Sequence, residues 1–160
     1  MNPSNKPWLI VGGVVLVIAL FLGGSYNGLV STQEGTKKAW ADVQAQYQRR
    51  IDLIDNVVNT AKGSAQFEKE TLTSITAARS AWAKAQSAGS LNDQIKETEQ
   101  AAPLMGSALS RLLVTVEAYP QLKSTEAFRD VITELEGTEN RIAVARRDFN
   151  GAVQGYNVKV

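Results

Sequence analysis

Sixteen Asp and Glu and 17 Lys and Arg supply nearly all the chemistry this 160-residue chain can offer, because it contains no His and no Cys. Those two absences exclude zinc fingers, Cys–His and Ser–His–Asp nucleophiles, haem held by an axial His, iron–sulfur clusters and disulfide scaffolds. Carboxylate-bridged di-iron bundles also fall away, since they require Glu-x-x-His on two helices. The carboxylates come in i,i+2 pairs, Glu68/Glu70, Glu97/Glu99 and Glu134/Glu136, which diverge on a helix instead of facing one another across a cleft. The basic doublets Lys37-Lys38, Arg49-Arg50 and Arg146-Arg147 are short and matched by acids, so no nucleic-acid footprint is expected. No phosphate-cradling glycine loop occurs, and the expectation is a non-enzyme without cofactor or metal. Glu139 and Arg146 stand apart because they fall on an otherwise apolar stripe. Counting helical levels sets Glu139 against Arg49 or Arg50, and Arg146 against Asp42. A structural polar seam is the favoured reading of these five residues, because buried charges without partners are costly.

The elements that must position them come from hydropathy. No charge occurs between Pro7 and Gln33, and Trp8 to Gly24 is almost wholly apolar. Those residues make about 25 Å of helix at ~1.5 Å per residue, and continuing to Val30 adds about 9 Å, enough for a hydrocarbon core of roughly 30 Å. Trp8 and Tyr26 bracket the run, where amphipathic rings favour the headgroup level. A retained single-pass anchor in a bacterial inner membrane is the expectation, over a cleaved signal peptide or a buried helix. Lys6 lies closer to the apolar run than Lys37 and Lys38, which leans toward an N-terminus in the cytoplasm and a body in the periplasm.

From Glu34 onward the charges balance, and apolar residues recur at alternating steps of four and three. The first stripe is Trp40, Gln44, Tyr47, Ile51, Ile54, Val58 and Ala61, with Gly63 as a cap and Ser31-x-x-Glu34 as a capping box unless the anchor helix runs on. A second helix from about Gln66 to Gln86 turns Phe67, Ile75, Ala78, Trp82 and Ala85 inward. Ser90-x-x-Asp93 opens a third, with Leu91, Ile95, Thr98, Ala102, Met105, Leu109, Leu112 and Val116 inward, a kink or restart at Pro103, and an end at Tyr119-Pro120. A fourth begins near Thr125, with Phe128, Ile132, Leu135, Glu139, Ile142, Arg146, Phe149, Val153 and Tyr156 inward. The fold expected is all-α: an N-terminal transmembrane helix (1–30) followed by an antiparallel four-helix bundle with long helices (31–160). The fourth helix should return to the membrane end, with Tyr156-Asn157 level with Tyr26-Asn27.

Several stretches resemble the LemA family: Tyr26-Asn27-x-Leu29-Val30, Ala39-Trp40-x-x-Val43-x-x-Gln46-Tyr47-x-Arg49-Arg50-x-Asp52-Leu53-Ile54, Glu117-Ala118-Tyr119-Pro120, Glu134-Leu135-Glu136-Gly137-Thr138-Glu139-Asn140 and Arg146-x-x-Phe149-Asn150. Two positions depart from the family pattern: Asp55 stands where Pro is usual, and Phe67-Glu68 where His-Glu is common. The resemblance implies a membrane-anchored helical bundle and no established catalysis. The function expected is self-assembly or protein interaction at the bilayer, with a homo-oligomer and another membrane protein as partners. A sensory or ligand-binding bundle signalling through a partner, with Arg50, Glu139 and Arg146 as its site, is the alternative, and membrane remodelling a distant third.

Overall fold

The computed structural model describes residues 6–61, 68–119 and 126–160, and all four elements in them are helices: α1 (Lys6–Ala61), α2 (Lys69–Ser87), α3 (Leu91–Glu117) and α4 (Glu126–Asn157). The expected roles of Gly63, Phe67, Pro120 and Thr125 lie outside the described residues. Packing divides the chain into two compact units, Ala41–Arg146 and Met1–Trp40 with Arg147–Val160.

Within Ala41–Arg146 the helices run up, down, up and down. Asp55 of α1 pairs with Arg79 of α2, and Trp82 of α2 bonds back to Gln48 of α1. Lys84 of α2 meets Glu97 of α3 at 2.8 Å, and Glu70 meets Arg111 at 2.9 Å, so these two helices are antiparallel over their length. Arg49 and Arg50 of α1 reach Glu134 and Glu139 of α4. The buried stripe of α2 is Thr71, Ile75, Ala78, Trp82 and Ala85.

On α3 and α4 the inward positions differ from the expected stripes in one consistent way. α3 buries Ala101 and Ala108 completely, while Ala102 and Leu109 are half-buried. α4 buries Thr138 and Ala145, and the expected inward residues Glu139 and Arg146 are exposed. A helix of 3.6 residues per turn lets either i+3 or i+4 follow an apolar anchor such as Met105 or Leu135. At Ala108, Thr138 and Ala145 the central slot goes to the smaller side chain and the larger or charged neighbour takes the rim, whereas Ala101 and Ala102 are the same residue and only the rotation of the helix separates them.

The start of α3 matches its sequence signal. Ser90 Oγ accepts from the Asp93 backbone N–H at 3.2 Å and donates to the Asp93 carboxylate at 2.6 Å, satisfying one otherwise orphaned donor. Pro103 neither ends nor restarts the helix, which continues from Leu91 to Glu117. Pro103 is exposed, so the carbonyl it deprives of a partner can turn to water.

In the other unit α1 passes through Ser31–Glu34 without a break, so the capping box is not used. Thr32 Oγ1 instead donates back to the carbonyls of Gly28 and Leu29, and Thr36 Oγ1 to that of Thr32 at 3.0 Å. Trp40 packs on Phe149 with ring centroids 5.0 Å apart, and Thr36 Oγ1 also reaches the Ala152 carbonyl at 3.4 Å. This antiparallel register puts Tyr156 opposite Thr32, about a turn and a half beyond the expected level of Tyr26-Asn27. Every described residue from Ile10 to Asn27 is exposed, whereas Gly28, Leu29, Val30 and Thr32 are half-buried.

Candidate functional site: the polar seam of helices α1 and α4

Arg50 is the one buried cation among the described residues, its side chain only 4% exposed. It reaches the interior because α1 has a broad buried face, with Val43, Tyr47, Ile51, Leu53, Ile54, Val57 and Val58 all covered. Its Nε donates to Thr138 Oγ1 at 2.9 Å, and a terminal nitrogen donates to Glu139. Thr138 Oγ1 in turn donates to the Leu135 carbonyl at 2.6 Å. A guanidinium fits this place because its planar fork serves a buried hydroxyl and a rim carboxylate together. Glu139 is 75% exposed along its side chain, so the pair closes at the edge of water.

Arg49, on the outer side of the same turn, pairs with Glu134. The hydrogen bond from Arg49 holds the Glu134 carboxyl below the usual carboxylate range against a smaller desolvation effect, and the positive charges of Arg49 and Arg141 add to the lowering. Asp42 and Arg146 are both exposed and form no ion pair within 4 Å among the described residues. They lie at one level of the antiparallel register, yet each points to solvent. The structure therefore brings together Arg49, Arg50 and Glu139 with Glu134 and Thr138, and leaves Asp42 and Arg146 outside.

Thr138 was invisible as a seam residue because its hydroxyl, next to Glu139, reads as ordinary helix surface. A second polar cluster escapes the sequence for the same reason. Gln48 Oε1 accepts from Trp82 Nε1 at 2.7 Å and Gln86 Nε2 at 2.9 Å, while Gln48 Nε2 donates to Asp52 at 2.7 Å. Glutamine at helical spacing carries no mark that separates an interhelix linker from a solvated side chain.

The i,i+2 carboxylate pairs resolve by their divergence. Glu70, Glu97 and Glu134 each reach a cation on a neighbouring helix, and Glu68, Glu99 and Glu136 are exposed. Such pairs tie helix to helix and form no facing carboxylate dyad. No cluster of acids able to hold a metal ion occurs among the described residues. Trp8 and Tyr26, the expected anchor edges, are 79% and 68% exposed on α1.

Comparison with known proteins gives the arrangement a lineage. The chain is 25% identical over 173 residues to magnetosome protein MamQ 2 of Paramagnetospirillum magneticum, covering 95% of this chain and 64% of that protein. Magnetosome protein MamQ of Magnetospirillum gryphiswaldense is 25% identical over 154 residues, covering 84% and 57%. Protein LemA of Metamycoplasma hominis is 26% identical over 151 residues, covering 91% and 65%. The chain thus spans less than two thirds of the length of each of these relatives. The LemA family model matches residues 39–160, taking in the bundle helices and the whole polar seam, and the chain belongs to the LemA family.

Proposed function

We infer that this protein is a bilayer-anchored helical bundle that acts through assembly with itself or with other membrane proteins, without catalysis. The observation that carries the reading is the exposure of the apolar part of α1. Every described side chain of Ile10–Leu22 is exposed, with values from 51% at Ile18 to 72% at Phe21 among the large apolar residues. The same helix goes on to bury Trp40, Val43 and Tyr47 in packed surroundings. A contiguous apolar surface of that size does not persist in water. Eleven of the 17 residues from Trp8 to Gly24 are Leu, Ile, Val or Phe, each favouring the bilayer by about 0.3–0.6 kcal/mol at a helix centre.

The bundle contributes contact surfaces in place of chemistry. Arg50, Thr138 and Gln48 tie its own helices to one another, and the carboxylates of Asp55, Glu70, Glu97 and Glu134 add further interhelix pairs. The test is mass measurement of the full chain in mild detergent, paired with cross-linking in intact membranes. Oligomers or discrete cross-linked partners support the reading. A strict monomer that cross-links to nothing refutes assembly as its mode of action. Resistance to alkaline extraction from membranes tests the anchor separately.

A further inference from the structure

We propose that the end of α4, Tyr156 to Val160, docks on the anionic headgroup layer of the same bilayer that α1 enters, giving the protein a second lipid contact. The proposal rests on the membrane reading of α1 and deepens it.

Three observations within one compact unit carry it. The first is level. The Thr36–Ala152 and Trp40–Phe149 contacts fix the antiparallel register, and it brings Lys159 beside Leu29, where the apolar run of α1 leaves the hydrocarbon. The partial burial of Gly28, Leu29 and Val30, after a fully exposed stretch, marks the same level.

The second is the chemistry of the segment. Val158 is 82% exposed and Val160 80%, apolar side chains on either side of Lys159. Val158 and Lys159 continue the hydrogen bonding of the helix end, Val158 N–H donating to the Gln154 carbonyl at 3.1 Å and Lys159 N–H to that of Tyr156 at 2.9 Å. Tyr156 is half-buried, with the mixed polarity that suits the interface. Lys159 can lay its stem along lipid and keep its ammonium among the phosphates.

The third is charge. On this unit, beyond the apolar run, Lys37, Lys38, Arg147 and Lys159 are set against only Glu34 and Asp148. Glu34 engages Lys37 at 2.7 Å. Lys159 is the cation of this unit at the level of the headgroups, because Lys37 and Lys38 stand about 12–14 Å and Arg147 about 18 Å further along the helices. One basic residue near the surface favours anionic lipid by roughly five-fold in affinity.

The chain has no Cys, so one introduced thiol is a unique label. The full chain carrying Asn157→Cys with an environment-sensitive fluorophore is reconstituted in vesicles of phosphatidylglycerol and phosphatidylcholine. Quenching is read from lipids bearing a nitroxide near the headgroup, and Leu16→Cys in a parallel sample reports the anchor against a deep nitroxide. The proposal expects shallow quenching at position 157 and its loss in Val158→Asp/Val160→Asp. Lys159→Gln should lower the docked-to-undocked ratio about five-fold on anionic vesicles and leave pure phosphatidylcholine vesicles unchanged. Deep quenching at 16 with none at 157 overturns the proposal and leaves the anchor standing. Absence of quenching at 16 overturns the anchor reading itself. A blue-shifted label at 157 that no lipid quencher reaches indicates a protein partner and also overturns the proposal.

Discussion

Replacing Thr138 with Val deletes a single hydroxyl from the most buried polar contact of the bundle. Thr138 is 0% exposed and the Arg50 side chain 4%, so water cannot take the place of what is removed. Valine has nearly the same volume and branching, which keeps the cavity contribution small. The Leu135 carbonyl retains the acceptor role that its helix gives it, so its loss of the Thr138 donor is secondary. What remains is Arg50 Nε without its 2.9 Å acceptor. A hydrogen bond to a charged group contributes about 1.5–3 kcal/mol, and leaving a buried donor unpaired costs a similar amount. Thr138→Val should therefore destabilise by about 1.5–3 kcal/mol. Glu139→Gln should cost only about 0–1 kcal/mol, because that partner is 75% exposed and its pair is screened.

Arg50→Met supplies the decisive comparison. It keeps an apolar stem and removes the charge, and the Glu139 carboxylate it leaves behind is 75% exposed, so no unpaired charge stays buried. In that background the hydroxyl of Thr138 has no guanidinium to satisfy, so Thr138→Val should lose most of its effect. The assay is urea unfolding of the full chain in detergent micelles, followed by indole fluorescence. Trp8→Phe as the parent leaves only the buried Trp40 and Trp82 to report. A double-mutant cycle on positions 50 and 138 should give a coupling of about 1.5–3 kcal/mol. A coupling near zero, or Thr138→Val within about 0.5 kcal/mol of its parent, refutes the seam as a register-fixing device.

Three other outcomes follow from the same geometry. Ala108→Leu should destabilise the bundle by about 1–3 kcal/mol, since Ala108 is fully buried, whereas Ala83→Leu at an exposed position should stay within about 0.5 kcal/mol by the same urea midpoint. Leu16→Arg in the middle of the apolar run should cost about 3–4 kcal/mol of insertion free energy, read as loss from the alkali-resistant membrane fraction. Glu134 has a folded pKa below its unfolded value, so its stabilising contribution is full above the unfolded pKa of about 4.3 and disappears as pH falls through the lower folded value. The urea-midpoint difference between the parent and Glu134→Gln should accordingly shrink over that acidic window, and a difference that widens there contradicts the Arg49 pairing.

The helices were legible in the sequence because their evidence is redundant. The four-three recurrence runs for several turns in each, and Ser90-x-x-Asp93 marks a start with two hydrogen bonds. The choice between adjacent positions was not legible. Ala101 against Ala102, Ala108 against Leu109, Thr138 against Glu139 and Ala145 against Arg146 each satisfy the same period. The rotation of each helix against its neighbours decides among them, and that rotation is a property of the assembled bundle. The level of Arg50 and Glu139 could be counted from helix lengths, yet the third member of the contact could not. A threonine gives the same sequence signal whether it caps, faces solvent or accepts from a buried cation.

The sensory alternative makes a demand on Arg50 that its surroundings oppose. A ligand anion at this seam must displace either Thr138 from Nε or Glu139 from the terminal nitrogen. The first exchange opens packing at a fully buried residue. The second happens at the exposed rim, where the incoming anion gives up hydration to replace a carboxylate already tethered to the same chain. Its effective concentration is high, so a free carboxylate or phosphate competes poorly. Thermal unfolding of the full chain titrated with acetate or inorganic phosphate should show no saturable stabilisation beyond the effect of ionic strength. A saturable rise in Tm that vanishes in Arg50→Met while persisting in Glu139→Gln would overturn this and make the seam a binding site. Glu139→Gln sharpens the comparison because it clears the competing charge from the rim and leaves the buried guanidinium in place.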